Sequence, residues 1–148
     1  MKPIEIDSID AQDWTPILSD STAEGYGMVE CLLRDYRQGK NQFNETGECL
    51  FALLEAHTVI GVAGLNIEPD SSFSNAGRIR RFYIVPSFRG KGLGKALLAV
   101  IESRAREYFG RLTVNVGTSG AYGFYESLGF ETLESESITH LKNLVRES

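Results

Sequence analysis

Ile4 and Ile6 alternate with polar neighbours, the period of a half-buried strand. A helical region follows. Ser21-Thr22-Ala23-Glu24 fits a capping box, with Ser21 as N-cap and Glu24 reaching back. From there Tyr26, Val29, Leu33 and Tyr36 fall on one face, Gly25 and Gly27 weaken the first turn, and Gly39 is the expected stop. Residues 40–47 are polar and read as a loop. Cys49 to Glu55 and Val59 to Ile67 read as two strands of a hairpin, turning at Ala56-His57-Thr58. The Pro, Asp, Ser, Asn and Gly of residues 68–77 are loop chemistry.

Arg78 to Val85 is the next predicted strand. A helix from Gly92 to Tyr108 turns Leu93, Leu97, Val100, Ile101 and Ala105 inward. Leu112 to Val116 is a further strand. Ala121, Phe124, Tyr125 and Leu128 then recur at helical spacing, with Gly129 as the left-handed residue past the helix end and Phe130 folding back. Two closing strands are expected over Phe130 to Leu133 and Ile138 to Leu144. The order β–α–βββ–α–β–α–ββ predicts a three-layer α/β fold with a mixed sheet.

The chain has 148 residues, 42% of them hydrophobic, which predicts one globular domain over residues 1–148. Its net charge of −5 argues against a nucleic-acid partner. Basic residues gather instead between Arg78 and Lys95, which suits a small anionic ligand. The acidic N-terminus lacks an apolar leader, and no apolar run approaches membrane-spanning length. With only Cys31 and Cys49, both read as free thiols, a cytoplasmic location is expected and no membrane contact.

The densest chemistry is Arg89-Gly90-Lys91-Gly92-Leu93-Gly94-Lys95. Glycines at a helix start leave backbone N–H groups unblocked at the positive end of the helix dipole, a cradle for an anion. A P-loop would need one more residue and a hydroxyl where Ala96 stands; a dinucleotide fingerprint would need a different last interval. Both spacings speak against a nucleoside triphosphate or NAD site. A bare flexible turn is the plain alternative.

The stretch Arg89 to Gly94 also matches R/Q-x-x-G-x-G/A, and Val114 to Phe130, with its Phe124-Tyr125-x-x-Leu128-Gly129-Phe130 end, resembles a second block of the same family. On these two motifs, in this order, the chain resembles the GNAT superfamily of N-acetyltransferases. The resemblance implies a central mixed, mostly antiparallel sheet flanked by helices, acetyl-CoA as cosubstrate, a primary amine on a small molecule or protein as acceptor, and no metal; a homodimer is compatible with it. It implies pyrophosphate contacts from Arg89, Gly90, Lys91, Gly92, Leu93, Gly94 and Lys95. It also implies that Phe82, Tyr83 and Ile84, beside a strand bulge, pair with the pantetheine arm, and that an N–H of Tyr83 or Ile84 faces the acetyl carbonyl. Tyr125 takes the position of the general acid for the departing thiolate, although periodicity alone would make it a core residue. Asn115 matches a cofactor-contacting Asn, and Thr118 stands where a second Asn is frequent.

One departure concerns the base. Many members carry a Glu near the start of the strand before the loop; here the residues are Gly77-Arg78-Ile79-Arg80-Arg81. Glu68, Glu24, Tyr83, His140 and a water chain are the alternatives. Arg78 and Arg80 share a strand face, either solvated or set to meet an acceptor carboxylate. The missing Glu keeps open a second class, a non-catalytic acyl-CoA-binding module of the same fold.

Overall fold

The computed structural model describes residues 1–144. Seven strands form one sheet: β1 (Ile4–Glu5), β2 (Cys49–Glu55), β3 (Thr58–Ile67), β4 (Ala76–Ile84), β5 (Arg111–Val114), β6 (Glu131–Thr132) and β7 (His140–Asn143). Their spatial order is β1-β2-β3-β4-β5-β7-β6, and only β4 and β5 run parallel. The helices are α1 (Thr15–Ala23), α2 (Met28–Arg37), α3 (Leu93–Tyr108) and α4 (Tyr122–Ser127). The predicted mixed, mostly antiparallel sheet flanked by helices is the observed fold.

Successive strand residues point to opposite faces, and close glycine approaches mark both. A Cβ on Gly64 would meet the Phe43 ring, from the loop after α2. On the opposite face, a Cβ on Gly77 would meet Phe109, the residue that ends α3. Leu32, Leu50, Leu53, Leu65, Leu97 and Ile101 fill the core between these layers.

The region before the sheet departs from expectation. No helix begins at Ser21: that residue lies inside α1, fully buried, its hydroxyl donating to the Leu18 carbonyl. Gly25 is the stop of α1, with φ +84°. Its N–H donates to Thr22 O, and the Tyr26 N–H to Ser21 O, the paired bonds of a Schellman ending. Glu24 is therefore the C-cap of α1, one past its last residue, and its carboxylate is free to leave the backbone. Gly39 and Gly129 end α2 and α4 with the same pair of bonds, as their positions in the sequence predict.

Candidate functional site

A parallel pair that parts company creates the site. The ladder between β4 and β5 ends at Ile79–Val114, yet β4 continues to Ile84. Just past that last rung, Arg81 and Phe82 together oppose one residue of β3, and Arg81 takes φ +57°. This β-bulge bends β4 away from β5. The space between them is a cleft of about 920 Å³. Every residue predicted for the site lines it except Lys91, whose ammonium lies 5.1 Å from the Phe88 ring centre.

The glycine loop closes one end. β4 leaves the sheet at Val85, a short 3-10 turn covers Pro86–Phe88, and Gly90 and Gly92 both take φ +77°. Gly92 is the N-cap of α3 and offers no side chain to the helix start. The first N–H groups of α3, from Leu93 to Lys95, therefore lack intrahelical partners and face the cleft mouth. Gly94 permits a close approach, since a Cβ there would sit 3.1 Å from Phe82.

Tyr125 sits inside. It is only 5% exposed, and Phe82, Phe124 and Phe130 pack around its ring at centroid distances of 6.5, 5.3 and 5.5 Å. Burial pushes its phenol above the ordinary 10. The proton is thus held at neutral pH, which a donor requires. Asn115, exposed just past β5, lines the same cleft. Thr118 opens a 3-10 turn without a capping bond from its side chain.

The side of the cleft toward the α1–α2 connector is built by residues far apart in sequence. Arg89 turns away from the loop glycines: its Nε donates to Ile84 O at 2.8 Å, and its two Nη groups grip Glu24 at 2.6 and 3.0 Å. The same guanidinium lies 5.2 Å over the Tyr83 ring, and the Tyr83 hydroxyl donates to Glu24. Arg89, then the Tyr83 hydroxyl, hold the Glu24 carboxyl below its ordinary range. Burial, then Glu24, push the Tyr83 phenol up. The connector between α1 and α2, Glu24 to Gly27, is thereby tied to the end of β4.

The candidate bases separate on these contacts. Glu68 is buried and fully engaged: it accepts from Arg78 Nε at 2.8 Å, Thr113 Oγ1 at 2.6 Å and the Asp70 N–H at 2.8 Å. Tyr83 is a donor with a raised pKa. His140 is fully buried outside the cleft lining, its Nε2 without a partner among the described residues. Glu24, also outside the cleft lining, is an ionised carboxylate engaged by both Arg89 Nη groups and the Tyr83 hydroxyl. The Glu24–Arg89 contact had no sequence signal, because its partners lie 65 residues apart.

Residues 11–130 match the Acetyltransferase (GNAT) family. The chain belongs to the GNAT acetyltransferase family. A mycothiol acetyltransferase of Kocuria rhizophila is 32% identical over 139 residues; the match takes in 88% of this chain and 45% of that protein, so the chain spans about half the length of the curated relative it matches. A structure from Exiguobacterium sp. 255-15, described only as an acetyltransferase, is 33% identical and superposes with a TM-score of 0.85, covering 96% of this chain and 92% of that one. A ribosomal-protein-alanine N-acetyltransferase of Brucella melitensis shares the fold at 19% identity, with a TM-score of 0.71 over 97% of this chain and 99% of that one. Among the described residues no helix is long and apolar enough to cross a membrane.

Proposed function

We propose that this GNAT chain transfers the acetyl group of acetyl-CoA to a primary amine by direct attack. The observation that carries the reading is the cleft itself. β4 runs on alone to Ile84 after its last rung with β5, with the glycine loop at one end and the buried Tyr125 phenol within. In this reading the pyrophosphate lies on the backbone N–H groups of Gly90 to Lys95, while the Arg89 side chain, held by Glu24 and Ile84 O, fixes where the loop begins. The pantetheine arm pairs with the freed edge at Phe82, Tyr83 and Ile84, as an added strand would. Asn115 contacts the cofactor from the β5 side.

The amine must first lose a proton, since it is charged at neutral pH. In this reading the proton leaves through water in the cleft, since Glu24 and Glu68 are each held by three hydrogen bonds. The amine nitrogen then attacks the thioester carbonyl carbon. An N–H of Tyr83 or Ile84 stabilises the oxyanion. As the C–N bond forms, the C–S bond breaks and the sulfur carries away the electron pair. Tyr125 donates its proton to that thiolate, the amide nitrogen releases its extra proton to solvent, and solvent returns one to the Tyr125 oxygen, so the proton count closes. No covalent enzyme intermediate is formed.

A thermal-shift series with CoA, acetyl-CoA, ATP and NAD tests the cofactor, followed by an amine panel read by release of the CoA thiol. CoA and acetyl-CoA are expected to raise Tm, and thiol release to require an amine. Stabilisation by NAD or ATP without CoA would overturn the reading. Binding of acetyl-CoA with no transfer to any amine would favour the non-catalytic module.

A further inference from the structure

Two arginines share one face of β4, and the structure gives them different fates. Arg78 is satisfied: Glu68 holds its Nε, and its Nη2 donates to Ser137 O at 3.0 Å. Arg80 has neither an ion pair nor a side-chain hydrogen bond among the described residues, although it is half-buried and lines the cleft. Nearby carboxylates are committed elsewhere. Glu68 belongs to Arg78, Asp35 on α2 faces Arg81 at 3.6 Å, Glu24 belongs to Arg89, and Glu48, which with Glu68 acts on Arg80 only from a distance, accepts from the Glu45 and Ile67 N–H groups. Burial, and then repulsion by Arg78 and Arg81, lower the Arg80 pKa. The cleft therefore contains a charge that lacks a counter-charge, in surroundings that an anion would relieve.

The register says which end of the cleft this charge serves. Arg80 lies directly opposite Gly64 on β3. Opposed residues of an antiparallel pair project to the same face, and the Gly64 face is the one covered by Phe43 after α2. Arg80 is thus on the face of α1 and α2, and the glycine loop leads into α3. It also sits one residue past the last β4–β5 rung, at the floor of the opening, below Phe82 and Tyr83.

We propose that Arg80 is the specificity residue for the acceptor, and that the acceptor is a small amine carrying a carboxylate. This rests on the acetyl-transfer reading above. A planar guanidinium binds a carboxylate through two parallel hydrogen bonds and so fixes orientation as well as charge. Anchoring the carboxylate at the cleft floor leaves the amine to point up β4 toward the acetyl group. Arg78, its charge matched by Glu68 at 2.8 Å, does not compete with Arg80 for the ligand.

The test is a matched panel of acceptors. α-Amino acids, β-alanine and γ-aminobutyrate are each paired with the corresponding carboxamide; putrescine, spermidine and tyramine stand as amines without a carboxylate. Thiol release gives kcat/KM for wild type, Arg80→Gln and Arg80→Lys, with the CoA Kd and Tm of each protein measured alongside. The expected result is a preference of at least about tenfold for the acid over its amide, carried by KM. Arg80→Gln should level the pair while CoA affinity stays within about twofold, and Arg80→Lys should restore part of the preference. Which acids respond separates α-amino from ω-amino acceptors. Equal rates for acid and amide, turnover of carboxylate-free amines alone, or a preference that survives Arg80→Gln would overturn the inference and leave acetyl transfer standing. Acetyl-CoA binding without turnover of any carboxylate-bearing amine would likewise overturn it. Loss of CoA binding by wild type would instead overturn the transferase reading.

Discussion

The part of the cleft that we propose takes the cofactor and the part that we propose takes the acceptor are held by different kinds of interaction. At the cofactor end the groups are backbone N–H donors and a phenol, set by local geometry: two glycines at positive φ, a helix start without a side-chain cap, and an aromatic cluster on one short helix. At the acceptor end they are side-chain charges joined across the fold. Glu24 meets Arg89, Glu68 meets Arg78, and Arg80 has no ion-pair partner among the described residues. Local geometry of this kind offers backbone donors to an anion whatever the surrounding side chains do. Long-range ion pairs make a site whose shape and charge depend on which partners remain unpaired. The same fold can thus keep its cofactor and change its acceptor.

The largest effect is expected where the acceptor end borders the core. Glu68→Ala leaves Arg78 and the Thr113 hydroxyl without their acceptor, and breaking a buried pair from one side costs about 3 kcal/mol. A fall in Tm of about 10 °C by calorimetry is expected for a chain of this size. A shift of only a degree or two would show that the pair is not what fixes this end. Next is the chemistry at the cofactor end. Tyr125→Phe removes the donor but keeps the ring in its cluster, so kcat should fall about hundredfold with an unchanged fold. Because burial raises this phenol above 10, its proton is lost only on the alkaline side of that value. The wild-type advantage over Tyr125→Phe should accordingly hold from neutral pH to at least 10 in a kcat–pH profile. An advantage lost between pH 7 and 9 would point to another group.

The smallest effect concerns the link between the two ends. Glu24→Ala should speed amide exchange in residues 24–27 by severing the connector from Arg89 and Tyr83. The carboxyl is held below its ordinary 4.5, so the link is complete above that value and is lost only as the pH falls through the lower one. The exchange difference between wild type and Glu24→Ala should persist at pH 5 to 7 and vanish on stronger acidification. Its absence at neutral pH would mean that the connector is held by packing alone.

What could be read in the sequence follows the same division. Gly92 and Tyr125 sit in motifs whose spacing is local, and Gly129 with Phe130 marks a helix end within a few residues. The sheet pattern was legible because hydrophobic alternation is likewise short-range. Ser21 and Glu24 misled for a physical reason. A capping box and the last turn of a helix both place a polar residue three positions from an acidic one, and only Gly25 in the left-handed region distinguishes them. Arg89 and Glu24 lie 65 residues apart, so nothing local joins them. Arg78 and Arg80 look equivalent by strand period. Only the register that brings Glu68 beside one of them separates the satisfied arginine from the free one.

The central claim is that the glycine loop, through its backbone, grips the cofactor independently of the group that performs the proton transfer. Calorimetric titration of acetyl-CoA into wild type, Gly92→Val and Tyr125→Phe tests it most directly. A branched side chain strains φ +77° and crowds the N–H groups at the α3 start. The Kd should rise at least about tenfold in Gly92→Val and stay within about twofold of wild type in Tyr125→Phe. Equal affinity of Gly92→Val and wild type would contradict it.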